Sequence, residues 1–498
     1  LAGAVGSAGS RAVEMVAGRL LAPYVGMSLY TWTAIIAVVL AGLSIGHWIG
    51  GVMTDRTARP ARLAGIAFLL AALTAFASLF VLRLAAPPVL AGLAPVAGIG
   101  ALALAAFLLP SIFAGMIAPV LTRMALDRAD PQFHGRVLGR MFALGAVGAI
   151  LGTVAAGFWL IAWIGSHGSV LAIAAGYALL ALPFFAGAWR TVPAAAALAI
   201  LAGGLAGPGR VAALTSPCLE ESAYYCIQVD PVQGIGPRAR VLALDHLAHG
   251  MNAERDPTLL LSPYVQLVDE MLRRRGSGAA PRAFFIGGGT YTLPRAWAAR
   301  FPEARLTVAE IDPAVTRTAA RHLWVDPGNF EILHRDARMA LRGLPRDRRF
   351  DVIFGDAFHD VSIPQHLVTD EFHALVAERL APGGFYVINV VESLREPPFL
   401  LSLVETLQAR FDAVELWLDV ETISRREGRA TWVVVAAQED SGLAEIEARA
   451  GFPRTWLRIP TGRLLDVLPE DRRVFLTDDH APVARLMRHI LFDPDLAE

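Results

Sequence analysis

The chain has 498 residues, too many for one ordinary domain, and 55% of them are hydrophobic against 18% charged, which is apolar for a soluble enzyme. The formal net charge of −1 averages over two unlike halves: nearly all of the apolar excess lies before Arg210 and most of the charge after it. No basic patch carries interleaved aromatics, so no nucleic-acid partner is expected. The chain opens on Leu1 without the basic start and cleavage site of a signal peptide. Cys218 and Cys226 are too few for a disulfide framework, and no histidine has zinc-site spacing to them, so no metal is expected. One disulfide between them and two reduced thiols both remain open.

In chain order, the first half holds five stretches long enough to span a bilayer as helices: Tyr30 to Met53, Leu63 to Leu82, Val96 to Met124, Val137 to Ile164 and Ser169 to Ala188. Two more are less regular. Pro193 to Ala206 is short, and Leu1 to Ala22 carries Arg11, Glu14 and Arg19, charges that must pair or face a bundle interior. Arg11 and Glu14 lie one turn apart and suit a pair, and Glu14 with Arg19 is a less ideal one. Gly148 and Gly152 make a small-residue face for close helix packing. Gly51-Val-Met-Thr-Asp55-Arg56-Thr-Ala-Arg59 resembles the loop after the second helix of major facilitator transporters, which implies a related helix hairpin and not transport. Arg56, Arg59 and Arg62 occupy one loop, Arg123, Arg128 and Arg136 the loop two spans later, and Arg190 follows; the positive-inside rule makes all of them cytoplasmic.

From Pro208 the composition shifts. Ser222 to Val229 and Ala239 to Leu244 alternate like strands of an antiparallel sheet, with Gly234 and Gly236 at the turn between them. Ser262 to Gln266 suits a helix. Then comes Arg282-Ala-Phe-Phe-Ile-Gly-Gly-Gly-Thr290, a short apolar strand, a glycine turn and a helical stretch at Ala296 to Ala298, the opening of a doubly wound α/β sheet. The glycines let backbone approach a ligand. About 20 residues on, where such folds place a ribose-binding acid, Leu306-Thr-Val-Ala-Glu310-Ile-Asp312-Pro313 reads as a strand ending in acids, with Glu310 the one for the ribose hydroxyls. Phe330 to Asp336 and Arg349 to Asp356 are further strands ending in acids, and Gly384 to Val390 is a fifth strand behind a Pro382-Gly383 turn. A lone strand-end acid usually caps a helix. Glu310, Asp336 and Asp356 on one carboxyl edge point instead to a nucleoside site.

These residues resemble the spermidine synthases, polyamine aminopropyltransferases with the class I methyltransferase fold. The matched segments run from about Tyr224 to Val390 and from Leu476 to Val483, and Asp356-Ala-Phe-His-Asp360 with Ile363-Pro364, His366-Leu367 and Thr369 resembles a membrane-fused branch of that family. The resemblance implies three regions: a transmembrane helical domain at 1–208, a β-rich cap at 209–280 and a Rossmann-like catalytic domain at 281–498. It implies that Gly287, Gly288 and Gly289 form the donor's glycine turn, that Glu310 holds the ribose, that Asp336 and Ala337 meet the adenine, and that Asp356 is the catalytic aspartate. Tyr264, Gln266, His359 and Asp360 fall at acceptor-side positions, and Leu244-Asp245 resembles the family's Leu-Asp-Gly element. The departures are Thr290-Tyr291-Thr292 where the family has Asp-Gly-Gly, His359 where it has a second aspartate, and Tyr264-Val265-Gln266 where it has Tyr-His-Glu. The nucleoside site reads as intact and both amine sites as altered.

The implied function is aminopropyl transfer from decarboxylated S-adenosylmethionine to a polyamine such as putrescine, by a multi-pass protein of the cell membrane in contact with lipid; a homodimer is compatible with it. A second reading is a methyltransferase using intact S-adenosylmethionine on a membrane-borne or amine substrate. Thr290 favours it, because an acid there would repel the methionine carboxylate, and Arg295 one turn on suits a partner for that carboxylate. A third is a transporter with a nucleoside-sensing domain. A nucleoside cosubstrate favours a cytoplasmic catalytic domain, whereas an oxidised cysteine pair favours the outside.

Overall fold

The computed structural model describes residues 2–185, 187–205, 214–234, 238–276, 278–359, 361–425, 427–465 and 472–492. Its contacts divide the chain into two units, Leu1–Cys226 and Ile227–Glu498. The expected border at residue 208 and the turn residue Gly236 lie outside the described residues.

The first unit is helical: α1 (Ala2–Val25), α2 (Leu29–Arg56), α3 (Pro60–Gly92), α4 (Pro95–Leu126), α5 (His134–Ala155), α6 (Ile161–Ala181) and α7 (Thr191–Leu205), followed by a two-residue strand β1 (Glu220–Glu221). Among the described residues four helical runs are long and apolar enough to cross a membrane: Leu29–Arg56, Pro60–Gly92, Pro95–Leu126 and Pro131–Phe184. The last joins two of the spans read from sequence. It breaks at Gly165, whose φ of 68° lies outside helical geometry. The expected stretch Leu1 to Ala22 corresponds to α1, a helix whose Val16, Ala17, Leu20, Leu21 and Ala22 are buried in the bundle core. Its charges are paired, as their cost in an apolar setting requires. Arg11 bonds Glu14 one turn on. Arg19 does not reach Glu14 but donates to the carbonyls of Ser222 at 2.7 Å and Tyr224 at 2.8 Å.

Close packing explains the glycines. A Cβ on Gly148 would stand 2.0 Å from the Ala4 carbonyl oxygen, and one on Gly152 2.1 Å from that of Ala8, so this face seats α5 on α1. A second such face, not singled out in the sequence, joins α2 to α4: a Cβ on Gly46 would stand 2.1 Å from the Ile112 oxygen. Gly51 has nothing within 4 Å. Gly46→Leu is therefore expected to destabilise the helical unit by roughly 1–3 kcal/mol or more through overpacking, while Gly51→Leu stays near wild type. Thermal unfolding of the two variants in detergent checks this, and equal midpoints would contradict it.

The second unit opens with an antiparallel meander, β2 (Cys226–Val232), β3 (Ala239–Leu244) and β4 (Leu247–Ala253). The first two match the expected pair. The third, rich in His, Gly and Asn, carries little strand propensity and was not legible. Next come α8 (Pro263–Arg275), β5 (Arg282–Ile286), α9 (Thr292–Arg300), β6 (Arg305–Ala309), α10 (Pro313–His322), β7 (Glu331–Leu333), α11 (Ala337–Gly343), β8 (Phe350–Gly355), α12 (Asp370–Arg379) and β9 (Leu380–Ser393). After α13 (Pro398–Gln408), strands β10 (Ala413–Asp419), β11 (Arg429–Ala437), β12 (Glu445–Glu447) and β13 (Thr455–Ile459) complete a nine-stranded sheet among the described residues, in the order β12-β13-β10-β11-β9-β8-β5-β6-β7.

The stretch β9-β8-β5-β6-β7 is parallel and the rest antiparallel. Its strands are apolar on both faces because helices cover both. Phe284 points into the core shared with Phe372 and Leu403, from α12 and α13, while its neighbour Phe285 packs on Trp297 of α9. From β5 the chain builds outward to β6 and β7, then returns to add β8 on the other side. A crevice forms at such a reversal, at the carboxyl ends of the strands.

Candidate active site

The glycine turn stands at that reversal. Gly287 (φ 96°) and Gly289 (φ 50°) take left-handed backbone. A Cβ on Gly287 would also come within 2.7 Å of the Asp356 carbonyl oxygen, so the ends of β5 and β8 touch only because the residue is glycine. Tyr291 is left-handed too, at φ 54°, a conformation that costs about 1–2 kcal/mol in a non-glycine residue. Its buried ring stacks on Phe330 and its hydroxyl lies 2.7 Å from the Thr316 hydroxyl, contacts that hold it there.

Glu310 reaches back from the end of β6 to this turn. One carboxylate oxygen accepts from the backbone N–H of Gly288 (2.8 Å) and Gly289 (3.3 Å), the other from that of Asp312 (2.9 Å). Burial pushes its pKa up, and the three N–H groups pull against that. The acid thus organises the turn itself. Asp336, the expected adenine-side acid, caps α11 by accepting from the Met339 N–H at 2.9 Å, and it meets His366 Nε2 at 2.6 Å. Ala337, beside it, is buried as the first residue of α11.

Asp356 lies just past β8. Its Oδ2 accepts from the Tyr264 hydroxyl at 3.1 Å and its Oδ1 from Asn389 Nδ2 at 2.8 Å. Burial outweighs both bonds and pushes its pKa up to about 6. Burial and the neighbouring Asp356 carboxylate raise Tyr264, which keeps its proton as a donor. Asn389 Oδ1 is buried and has no partner among the described residues. The site therefore presents a carboxylate poised near neutrality, with its orientation fixed by two donors and an unused acceptor alongside.

The other expected acceptor residues are placed differently. Gln266 turns its amide to the C-terminal segment: Nε2 donates to the Ala450 and Phe452 carbonyls, both at 2.8 Å, and Oε1 accepts from Arg454 at 3.2 Å. His359 is exposed and bonds Ser362 through its backbone. Asp360 lies outside the described residues. Arg295 donates to the Glu254 carbonyl at 3.4 Å and not toward the turn. Asn389 and Asn252 were missed in the sequence. The signal for Asn389 was a polar residue inside the apolar fifth strand. Asn252 left no such signal.

Two curated relatives are similar to part of the chain. A polyamine aminopropyltransferase of Vibrio vulnificus (strain CMCP6) is 35% identical over 111 residues, 22% of this chain and 37% of that protein. A probable polyamine aminopropyl transferase of Bifidobacterium longum (strain NCC 2705) is 28% identical over 226 residues, 43% of this chain and 50% of the relative. Over those stretches the chain is similar to polyamine aminopropyltransferases. It spans 37% to 57% of the length of the curated relatives it matches. No family model matches it. Among solved structures, a probable spermidine synthase from Corynebacterium glutamicum aligns at a TM-score of 0.44 and 18% identity, over 53% of this chain and 97% of that one.

Against the aminopropyltransferase pattern, the departure at Thr290 has a structural counterpart. The Thr290 hydroxyl lies 2.6 Å from that of Thr292, which also bonds Asn252 Oδ1 at 2.8 Å, while Asn252 Nδ2 donates to the Thr290 carbonyl at 2.8 Å. A neutral network thus takes the place of a charge and ties the turn to β4. The aminopropyltransferase-like tail also has a visible task. Asp478 pairs with both terminal nitrogens of Arg338 at 2.6 Å and accepts from Thr369 at 2.8 Å, bracing α11 and α12 beside the Asp336–His366 contact.

Proposed function

We propose that the second unit transfers an aminopropyl group from decarboxylated S-adenosylmethionine to a polyamine such as putrescine. The observation that carries this is Asp356, a half-buried carboxylate with its pKa raised to about 6, held by Tyr264 and Asn389 beside the glycine turn. An ammonium cannot attack until it loses a proton, and a base is most effective when its pKa lies near the working pH. Asp356 takes that proton. The amine nitrogen then bonds the aminopropyl carbon next to the sulfonium, and the C–S bond breaks with its electron pair going to sulfur, which leaves methylthioadenosine. The turn at Gly287–Gly289, Glu310 and the Asp336–Ala337 edge hold the nucleoside, and Tyr264 orients the acceptor end. Alignment of the two reactants supplies much of the acceleration.

Methyl transfer from intact S-adenosylmethionine is the second reading, favoured by the neutral Thr290. Mixing the purified chain with each donor and putrescine separates the two. Methylthioadenosine appearing only with putrescine supports the proposal, and S-adenosylhomocysteine appearing instead supports the second reading.

The helical unit, in this reading, anchors the enzyme in the cell membrane. Arg59, Arg62 and Arg128 line one cavity with Phe184, Phe185 and Trp189, so three connections meet at one end of the bundle, which the positive-inside bias assigns to the cytoplasm. Glu221 bonds Ser166, next to the Gly165 break, and the Cys218–Cys226 disulfide lies in the same segment. From Gly165 to Ala181 is roughly 24 Å of helix at 1.5 Å per residue, so this segment belongs to the opposite end. Disulfides persist in oxidising compartments. Both observations favour a catalytic unit outside the cytoplasm, with α7 crossing, and weigh against the cytoplasmic placement expected from a nucleoside donor. A C-terminal alkaline phosphatase fusion is expected to be active and a green fluorescent protein fusion dark; the reverse pattern returns the unit to the cytoplasm.

A further inference from the structure

The cavity at the arginine end has a volume of about 590 Å³ and an unusual charge balance. Its single lining acid, Asp127, is held by Arg123 at 2.8 Å, and that same arginine faces Asp55 at 3.6 Å. Arg59, Arg62 and Arg128 are exposed on its wall and form no ion pair among the described residues. Arg62 is positioned by the ring of Trp189, 5.3 Å from its guanidinium carbon. Phe185 and Met124 give the cavity an apolar, buried side. Three unneutralised guanidinium groups around one opening repel each other unless an anion joins them.

We propose that this cavity binds the phosphate of an anionic membrane phospholipid, its headgroup against Arg59, Arg62 and Arg128 and its upper acyl portion against Phe185 and Met124. Guanidinium groups take phosphate oxygens in paired hydrogen bonds. A lipid is the source because the wall is apolar on one side, a tryptophan of the kind that sits at headgroup level borders the opening, and the arginines lie at the ends of membrane-length helices. A positive-inside bias needs only arginines in each loop. It does not require those of two separate connections to converge on one cavity. The inference rests on the membrane reading of the first unit and is independent of the transfer reaction.

The test uses the full chain purified in neutral detergent, with native mass spectrometry and thermal melting during titration with phosphatidylglycerol, phosphatidylcholine or inorganic phosphate. The wild type is expected to favour phosphatidylglycerol over phosphatidylcholine by about tenfold or more, as three nearby cations warrant. Arg59→Gln/Arg62→Gln/Arg128→Gln is expected to lose that preference while melting normally in phosphatidylcholine. Arg136→Gln/Arg140→Gln removes the same kind of charge outside the cavity and is expected to keep it. If the triple variant fails to fold, Arg128→Gln alone is expected to reduce the preference severalfold. No preference in the wild type, equal loss in the control pair, or binding of inorganic phosphate without any lipid preference would each overturn the proposal. None of these readouts depends on aminopropyl transfer, so a failure here leaves the catalytic reading untouched, and the converse holds.

Discussion

Asp356→Asn is expected to lower turnover by about 10² to 10⁴ while leaving methylthioadenosine affinity nearly unchanged, because a carboxamide keeps the shape and cannot accept the amine proton. The pH dependence follows from the same group. With its pKa at about 6, the wild-type carboxylate is protonated below that value and a free base above it, so turnover is expected to rise through pH 6, and the variant is expected to lack this limb. Stability gives a separate reading. A carboxyl group whose folded pKa exceeds its unfolded value near 3.9 favours the folded state at low pH, and this contribution is lost as pH rises from about 4 through 6. Above pH 6 the ionised side chain is a burden that asparagine lacks, so the variant is expected to melt no lower than wild type at pH 7.5. If Asp356 were only a turn-capping residue, the variant would lose melting temperature and nucleoside binding together. Turnover within about threefold of wild type would remove Asp356 from the chemistry.

Glu310→Gln is expected to weaken methylthioadenosine binding by about tenfold or more, since hydrogen bonds to a charged acceptor are each worth roughly 1.5–3 kcal/mol. Two routes lead there. The carboxylate accepts from Gly288, Gly289 and Asp312, so an amide puts a donor against an N–H and loosens the turn. It also stands where the ribose hydroxyls are expected. Calorimetry with methylthioadenosine and its 2′-deoxy and 3′-deoxy forms separates the routes as a double-substitution cycle. If Glu310 touches the ribose, wild type discriminates against the deoxy forms and the variant does not. Equal discrimination by both proteins assigns Glu310 to the turn alone, and unchanged affinity removes it from the donor site.

The parallel part of the sheet was legible because each strand there is a short apolar run closed by a glycine or an acid. Phe284 to Gly289, Leu306 to Glu310 and Phe350 to Asp356 fell where expected. The antiparallel strands β10 to β13 and the meander strand β4 were not, since their residues bear no chemistry at the ends and β4, of low strand propensity, is held by its pairing with β3 and by Asn252, which bonds the Thr290 carbonyl far away in sequence. Site residues divide the same way. Position along a strand fixes Asp356, so its place followed from spacing. Gln266 sits on a helix, and whether its amide faces the acceptor or the C-terminal segment depends on Ala450, Phe452 and Arg454, which no local pattern joins to it. In the helical unit, apolar length revealed the spans but not the pairing of α2 with α4. Gly42, Gly46 and Gly50 carried that signal at four-residue spacing, and it went unread beside the similar Gly148 and Gly152.

The most direct test of aminopropyl transfer is a double-label competition on the purified full-length chain. Putrescine is supplied with decarboxylated S-adenosylmethionine labelled in its aminopropyl chain and intact S-adenosylmethionine labelled in its methyl group, each isotope distinct. The aminopropyl label is expected in a lengthened polyamine, with methylthioadenosine released in equal amount and the methyl label left on its donor. Methyl label in the product with the aminopropyl label untouched would contradict aminopropyl transfer.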